Sequence, residues 1–91
     1  MDRFETKKGS FNISTLVDEG DLYITFENYS NKDVEITYSV TSDTFTVLSY
    51  QTYTYKIGSA SEVINWVPDA HIKYIDPKTN QEVKIYLKDI Y

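Results

Sequence analysis

The stretch LYITFENYSNKDVEITYSV, residues 22–40, decides the fold class. Leu22, Ile24 and Phe26 alternate with Tyr23, Thr25 and Glu27; after a polar break, Val34, Ile36, Tyr38 and Val40 alternate with Glu35, Thr37 and Ser39. Period-two alternation on both sides of a short turn-rich segment is the pattern of two strands, each with one apolar face. If YSNKD closes them as a hairpin with Asn28 facing Val34, Phe26 lies opposite Ile36, Ile24 opposite Tyr38 and Leu22 opposite Val40. The outer face then sets Thr25 against Thr37 and Glu27 against Glu35, two like charges whose direct opposition costs stability.

The chain outside this stretch has the same character. Its 91 residues make room for one small domain with a modest stability margin. Nine tyrosines and a 41% hydrophobic content in short alternating runs favour a folded, strand-rich chain. Residues 1–9 are polar apart from Phe4 and are expected to form a flexible arm, leaving 10–91 as a single domain. A strand over 10–16 should stop at Asp18-Glu19-Gly20-Asp21, where Gly20 supplies the positive backbone angle of a tight turn. Shorter strands are expected over 45–48 and 52–57, with a bend around Tyr50. Residues 62–68, EVINWVP, read as irregular or extended, with a single helical turn as the alternative: Ser59 and Glu62 have capping-box spacing, but Pro68 leaves space for barely two helical turns.

A second hairpin is expected over 71–90. Asp76-Pro77-Lys78-Thr79 has type I turn chemistry, and Asn80 suits a left-handed position after it. With Asp76 facing Gln81, Tyr74 meets Val83, Ile72 meets Ile85 and Ala70 meets Leu87, while Ile75 with Glu82, Lys73 with Lys84, and His71 with Tyr86 form the other face. Six or seven short strands spaced by turns predict an all-β fold, a small antiparallel β-sandwich. The layout is similar to immunoglobulin-like modules in a general sense, and YIDPKTNQEV resembles the closing hairpin of many such domains. The paired cysteines of true immunoglobulin domains are missing, and Trp66 stands late in the chain.

Several function classes are excluded or disfavoured. With no cysteine, disulfides, thiolate metal sites and thiol nucleophiles are impossible. His71 is the only histidine, no serine sits in a nucleophile elbow, and no cofactor motif is present, so neither an enzyme nor a cofactor is expected. No run approaches the ~20 apolar residues of a membrane span, and the first residues lack a signal peptide's apolar core. The expected location is therefore the cytoplasm, the host's if the chain is phage-encoded, with a secreted mature form as the alternative. Asn12 and Asn28 begin glycosylation sequons, which are common by chance and carry no weight.

Charge points to the class of partner. Between residues 12 and 55 stand seven acids, Asp18, Glu19, Asp21, Glu27, Asp33, Glu35 and Asp43, against Lys32 alone, a net of −6 within a chain of net −5. Such a chain does not neutralise a nucleic-acid backbone and is matched to a protein with a basic surface. The expected site is the acidic, tyrosine-bearing outer face of the first hairpin: Tyr23, Thr25, Glu27, Tyr29, Asp33, Glu35 and Thr37. An opposed Glu27–Glu35 pair is spaced like two catalytic carboxylates or a metal clamp, but an open outer face lacks the cleft and the burial either needs, so no metal or catalytic residue is assigned. Tyr50, Tyr53, Tyr55, Tyr86 and Tyr91 add aromatic surface, and Lys73, Lys84 and Lys88 a small basic spot that reads as a solvated face. The expected function is a non-catalytic protein-binding module, a small acidic inhibitor of the phage type. The alternative is an adhesion or carbohydrate-binding sandwich of a cell-surface or virion protein, with tyrosines stacking on sugar.

Overall fold

The computed structural model describes residues 10–90, so the expected arm over 1–9 and Tyr91 lie outside the described residues. Among the described residues seven strands and two short helices follow in order: β1 (Phe11–Asp18), β2 (Asp21–Asn28), β3 (Val34–Tyr38), β4 (Asp43–Val47), β5 (Thr52–Gly58), α1 (Ala60–Trp66), β6 (His71–Ile75), β7 (Glu82–Tyr86) and α2 (Leu87–Ile90). They build two antiparallel sheets, β1-β2-β5 and β4-β3-β6-β7, packed as an all-β sandwich. β4 lies beside β3, whereas immunoglobulin constant domains keep their fourth strand in the other sheet.

Inward and outward faces follow the alternation. Leu22, Ile24 and Phe26 on β2 and Val34, Ile36 and Tyr38 on β3 are buried, and Ile13, Val47, Ile72 and Tyr74 join them in one core. Burying each such side chain contributes about 1.5–3 kcal/mol. The expected hairpin between β2 and β3 does not form, however. β2 pairs with β1 (Ile13↔Phe26, Ser14↔Thr25) and with β5 (Phe26↔Tyr53, Thr25↔Thr54), while β3 pairs with β4 and β6. The two apolar rows face each other across the core instead of lying side by side.

Asn28 explains the change of sheet. Its side chain is 1% exposed at the end of β2. Its Oδ1 accepts from Ser30 N–H at 3.0 Å and Ser30 Oγ at 2.6 Å, and its Nδ2 donates to Lys32 O at 2.7 Å and Val47 O at 3.1 Å. Residues 29–33 are thereby wound around one buried amide and carried over the end of the sandwich. No residue among them has a positive φ. The true two-residue hairpin is at Glu19 (φ 52) and Gly20 (φ 84), whose paired positive angles match the primed turn between twisted strands.

The closing hairpin forms in the expected register, His71↔Tyr86, Ile72↔Ile85, Lys73↔Lys84 and Tyr74↔Val83, with Asp76 N–H donating to Gln81 O and Asn80 at φ 61. It is shorter than expected: after Tyr86 the chain turns into α2, and Leu87 N–H still reaches Ala70 O at 3.0 Å. Residues 60–66 are helical, not extended. Ala60, Val63, Ile64 and Val67 follow an i, i+3, i+4, i+7 spacing that lays one stripe on the core, with Ala60 buried and the other three partly buried. Burial of that stripe outweighs the short run left before Pro68.

Among the described residues the inner face carries one orphan: Tyr38 Oη is buried with no hydrogen-bond partner among them. Tyr38→Phe should therefore leave stability within about 1 kcal/mol of wild type or raise it, whereas Asn28→Ala should cost about 3 kcal/mol by stranding the loop carbonyls; denaturant melts read both. Burial also pushes the hydroxyls of Tyr38 and Tyr74 up to about 12, above the ordinary 10. Their neutral forms are favoured by the fold, so that contribution is complete below pH 10 and is lost as pH rises towards 12. An ultraviolet titration should show these two tyrosines ionising last, together with unfolding.

Candidate functional site

The seven residues expected to share one surface are divided among three. Tyr23, Thr25 and Glu27 project from the outer face of β1-β2-β5, between Leu16, Ser14 and Asn12 on one side and Lys56, Thr54 and Thr52 on the other. Glu35 and Thr37 project from the outer face of the other sheet, beside Thr46 and Thr44. Glu27 and Glu35 thus point away from opposite sides of the sandwich, and the facing carboxylate pair does not exist. Asp33 lies in the crossover at the end of the sandwich, where its Oδ1 accepts from Ser49 N–H at 2.8 Å. Tyr29 leans back, its Oη donating to Glu27 Oε2 at 3.0 Å, and that hydrogen bond holds the phenol above its ordinary pKa. Among the described residues no group of three or more His, Asp or Glu side chains could hold a metal ion.

The remaining candidates have partners. The His71 ring lies 5.3 Å from the Tyr86 ring, with Nδ1 2.9 Å from Asp69 O. Lys73 opposes Lys84 directly but reaches Glu82 at 3.6 Å, and Lys88 Nζ sits 5.6 Å over the Tyr86 ring. Tyr53 and Tyr55 stack on the two sides of the Phe45 ring at 4.7 and 4.8 Å, closing the flank between β4 and β5. A trough of about 510 Å³ runs over Glu35, Lys73, Ile75 and Glu82, bounded by Asp33 and the Asp76–Asn80 turn. Four acids, Asp33, Glu35, Asp76 and Glu82, and two lysines, Lys32 and Lys73, line it.

The two ends of the sandwich differ sharply. Every strand has one terminus at the end formed by the 29–33 crossover, the 48–51 bend and the 76–81 turn, and the other at the end formed by the 18–21 turn, the 39–42 turn and both helices. The helix end collects Asp18, Glu19 and Asp21 from the first turn, Asp43 from the second, and Glu62, Asp69 and Asp89 from in and around the helices. Among the described residues only Lys56 and Lys88 offset these seven acids, and Lys56 is 3.4 Å from Asp21. The rest of the described chain is nearly balanced, with five acids against four lysines.

On this acidic end stands Trp66, 85% exposed, the most exposed of the large hydrophobic side chains among the described residues. Its position follows from α1: once Val63, Ile64 and Val67 face the core, Trp66 must face outward, one turn beyond exposed Glu62 on the same side of the helix. The helical stripe was the signal that could have found it, and reading 62–68 as extended hid it. At the opposite end Tyr50, 66% exposed, occupies a left-handed backbone (φ 59) that is costly for a bulky residue, beside exposed Leu48 in the 48–51 bend.

Comparison of the chain with protein-family models, with curated proteins and with solved structures finds no match. Trp66 is the sole tryptophan, so its fluorescence should show the red-shifted emission of an indole in water and change little on unfolding. Trp66→Ala should shift stability by less than about 0.5 kcal/mol, whereas Ile64→Ala should cost about 1–2 kcal/mol.

Proposed function

We propose that this chain is a non-catalytic protein-binding module and that its partner-facing surface is the acidic helix end, with Trp66 as the apolar anchor and a basic surface as the partner. The observation that carries the reading is Trp66 at 85% exposure on the end of the sandwich that also holds Glu62, Asp69, Asp18 and Glu19. An indole this exposed contributes little to the core, and tryptophan is the side chain most often found carrying binding energy at interfaces. Its ring face also attracts lysine and arginine, the residues that the surrounding carboxylates would draw in. A chain of this size and charge suits an inhibitor that occupies a basic surface of its target. The former site, centred on Glu27 and Glu35, is replaced because its members do not share a face.

The adhesion or sugar-binding reading would use the opposite end, where Tyr29, Leu48 and Tyr50 are exposed. One experiment separates the two: affinity purification from the producing cells with wild type, Trp66→Ala, Glu62→Lys and Tyr50→Ala as baits. A protein partner with a basic surface should be captured by wild type and Tyr50→Ala, lose at least ~10-fold in affinity with Trp66→Ala, about 1.4 kcal/mol, and be released as salt rises past the range where surface charges are screened. Equal, salt-insensitive capture by Trp66→Ala contradicts the proposal.

A further inference from the structure

We infer that the outer edge of β5 is a self-pairing edge, through which two copies of this chain join antiparallel into one continuous sheet of order β1-β2-β5-β5-β2-β1. Among the described residues four strands stand at sheet edges, β1, β4, β5 and β7; β1 makes further interactions at Asn12, Ile13 and Thr15, which leaves β4, β5 and β7 as the edges to compare. Two of them are guarded. β7 alternates Glu82 and Lys84, and Lys84 already opposes Lys73; β4 begins at Asp43. Charged edges of this kind resist pairing. β5 has no charge from Thr52 to Tyr55 and no proline, and the charge of Lys56 is drawn back towards β2, 3.4 Å from Asp21 and 6.0 Å from the Tyr23 ring.

The ladder shows which groups are free. Asn28 N–H donates to Gln51 O at 3.0 Å, so by the antiparallel alternation Phe26/Tyr53 and Ile24/Tyr55 exchange bonds within the sheet. The N–H and C=O groups of Thr52, Thr54 and Lys56 therefore point outward. The close approach of Thr25 Oγ1 and Thr54 Oγ1, 3.0 Å, fits the non-hydrogen-bonded pair that this alternation requires.

The strand is self-complementary about Thr54, as a two-fold contact demands. Thr54 would exchange both bonds with Thr54 of the second copy, Thr52 would pair with Lys56, and Tyr53 would meet Tyr55 in the close position, beside the Phe45 stack that lines this flank. Charge selects a second copy and its direction. β5 runs from the nearly neutral end to the acidic end, so antiparallel pairing sets each acidic end beside the other copy's neutral end and keeps the two Trp66 surfaces far apart. The proposal stands whether or not Trp66 binds a partner.

Sedimentation of the full chain over the micromolar to millimolar range, with amide exchange read residue by residue, tests it. The mass should double with concentration, and the amides of Thr52, Thr54 and Lys56 should become protected only in the dimer, while those of Tyr53 and Tyr55 are protected in both states. Thr54→Pro removes an outward N–H and leaves the bonds to β2 intact; Thr54→Lys opposes two ammonium groups across the two-fold axis. Each should weaken association at least ~10-fold, and the lysine variant serves if the proline one does not fold. A chain that stays monomeric throughout overturns the inference, as does a dimer in which the Thr54 amide exchanges as fast as in the monomer.

Discussion

The buried side chain of Asn28 decides how the two strongest strands are related. An amide sealed from water must fill its hydrogen-bonding capacity or lose roughly 1–3 kcal/mol for each group left bare. Asn28 fills it with the backbone of its own loop, at Ser30 and Lys32, and with Val47 of β4 in the opposite sheet. The same side chain thus ends β2, shapes the crossover and fastens it to the far layer. Ser49 strengthens the join, its N–H donating to Asp33 and its hydroxyl to Ser30 O. An asparagine buried in this way is also closed to glycosylation in the folded chain.

The legible and illegible parts of the fold separate along a physical line. Alternation states which side chains face inward, because a one-residue slip would turn every apolar group to water; hence Leu22, Ile24, Phe26, Val34, Ile36 and Tyr38 were all identifiable as core. Local turn chemistry states which strands are joined tightly, as at Gly20 and at Asp76-Pro77 with Asn80, and it carried the whole register of the last hairpin. Neither states which strand lies next to which when the connection is a crossover. Asn28 reads as an ordinary turn residue in the sequence, and its burial becomes apparent only once both sheets are in place.

The site suffered most from that gap. A surface is assembled from neighbours, so exchanging β3 for β1 and β5 beside β2 separates Glu27 from Glu35 although each residue's own face was anticipated. Charge composition survived better: the excess of acid over base was evident, but the helices had to be placed before Asp18, Glu62 and Asp69 could be seen to gather at one end. Trp66 was recoverable from spacing alone, since Ala60, Val63, Ile64 and Val67 leave it on the outer side of any helix they form. A single proline, weighed too heavily against that stripe, concealed it.

A polarised sandwich follows, acidic and helix-capped at one end, nearly neutral at the other, with β2 and β3 held in different layers between them. That separation is what most needs measuring. In a nuclear Overhauser spectrum of the folded chain, backbone contacts should link Phe26 to Ile13 and Tyr53, and Ile36 to Phe45 and Tyr74. A ladder of backbone contacts running directly between Phe26 and Ile36 would place the two strands in one hairpin and contradict the arrangement on which both surfaces depend.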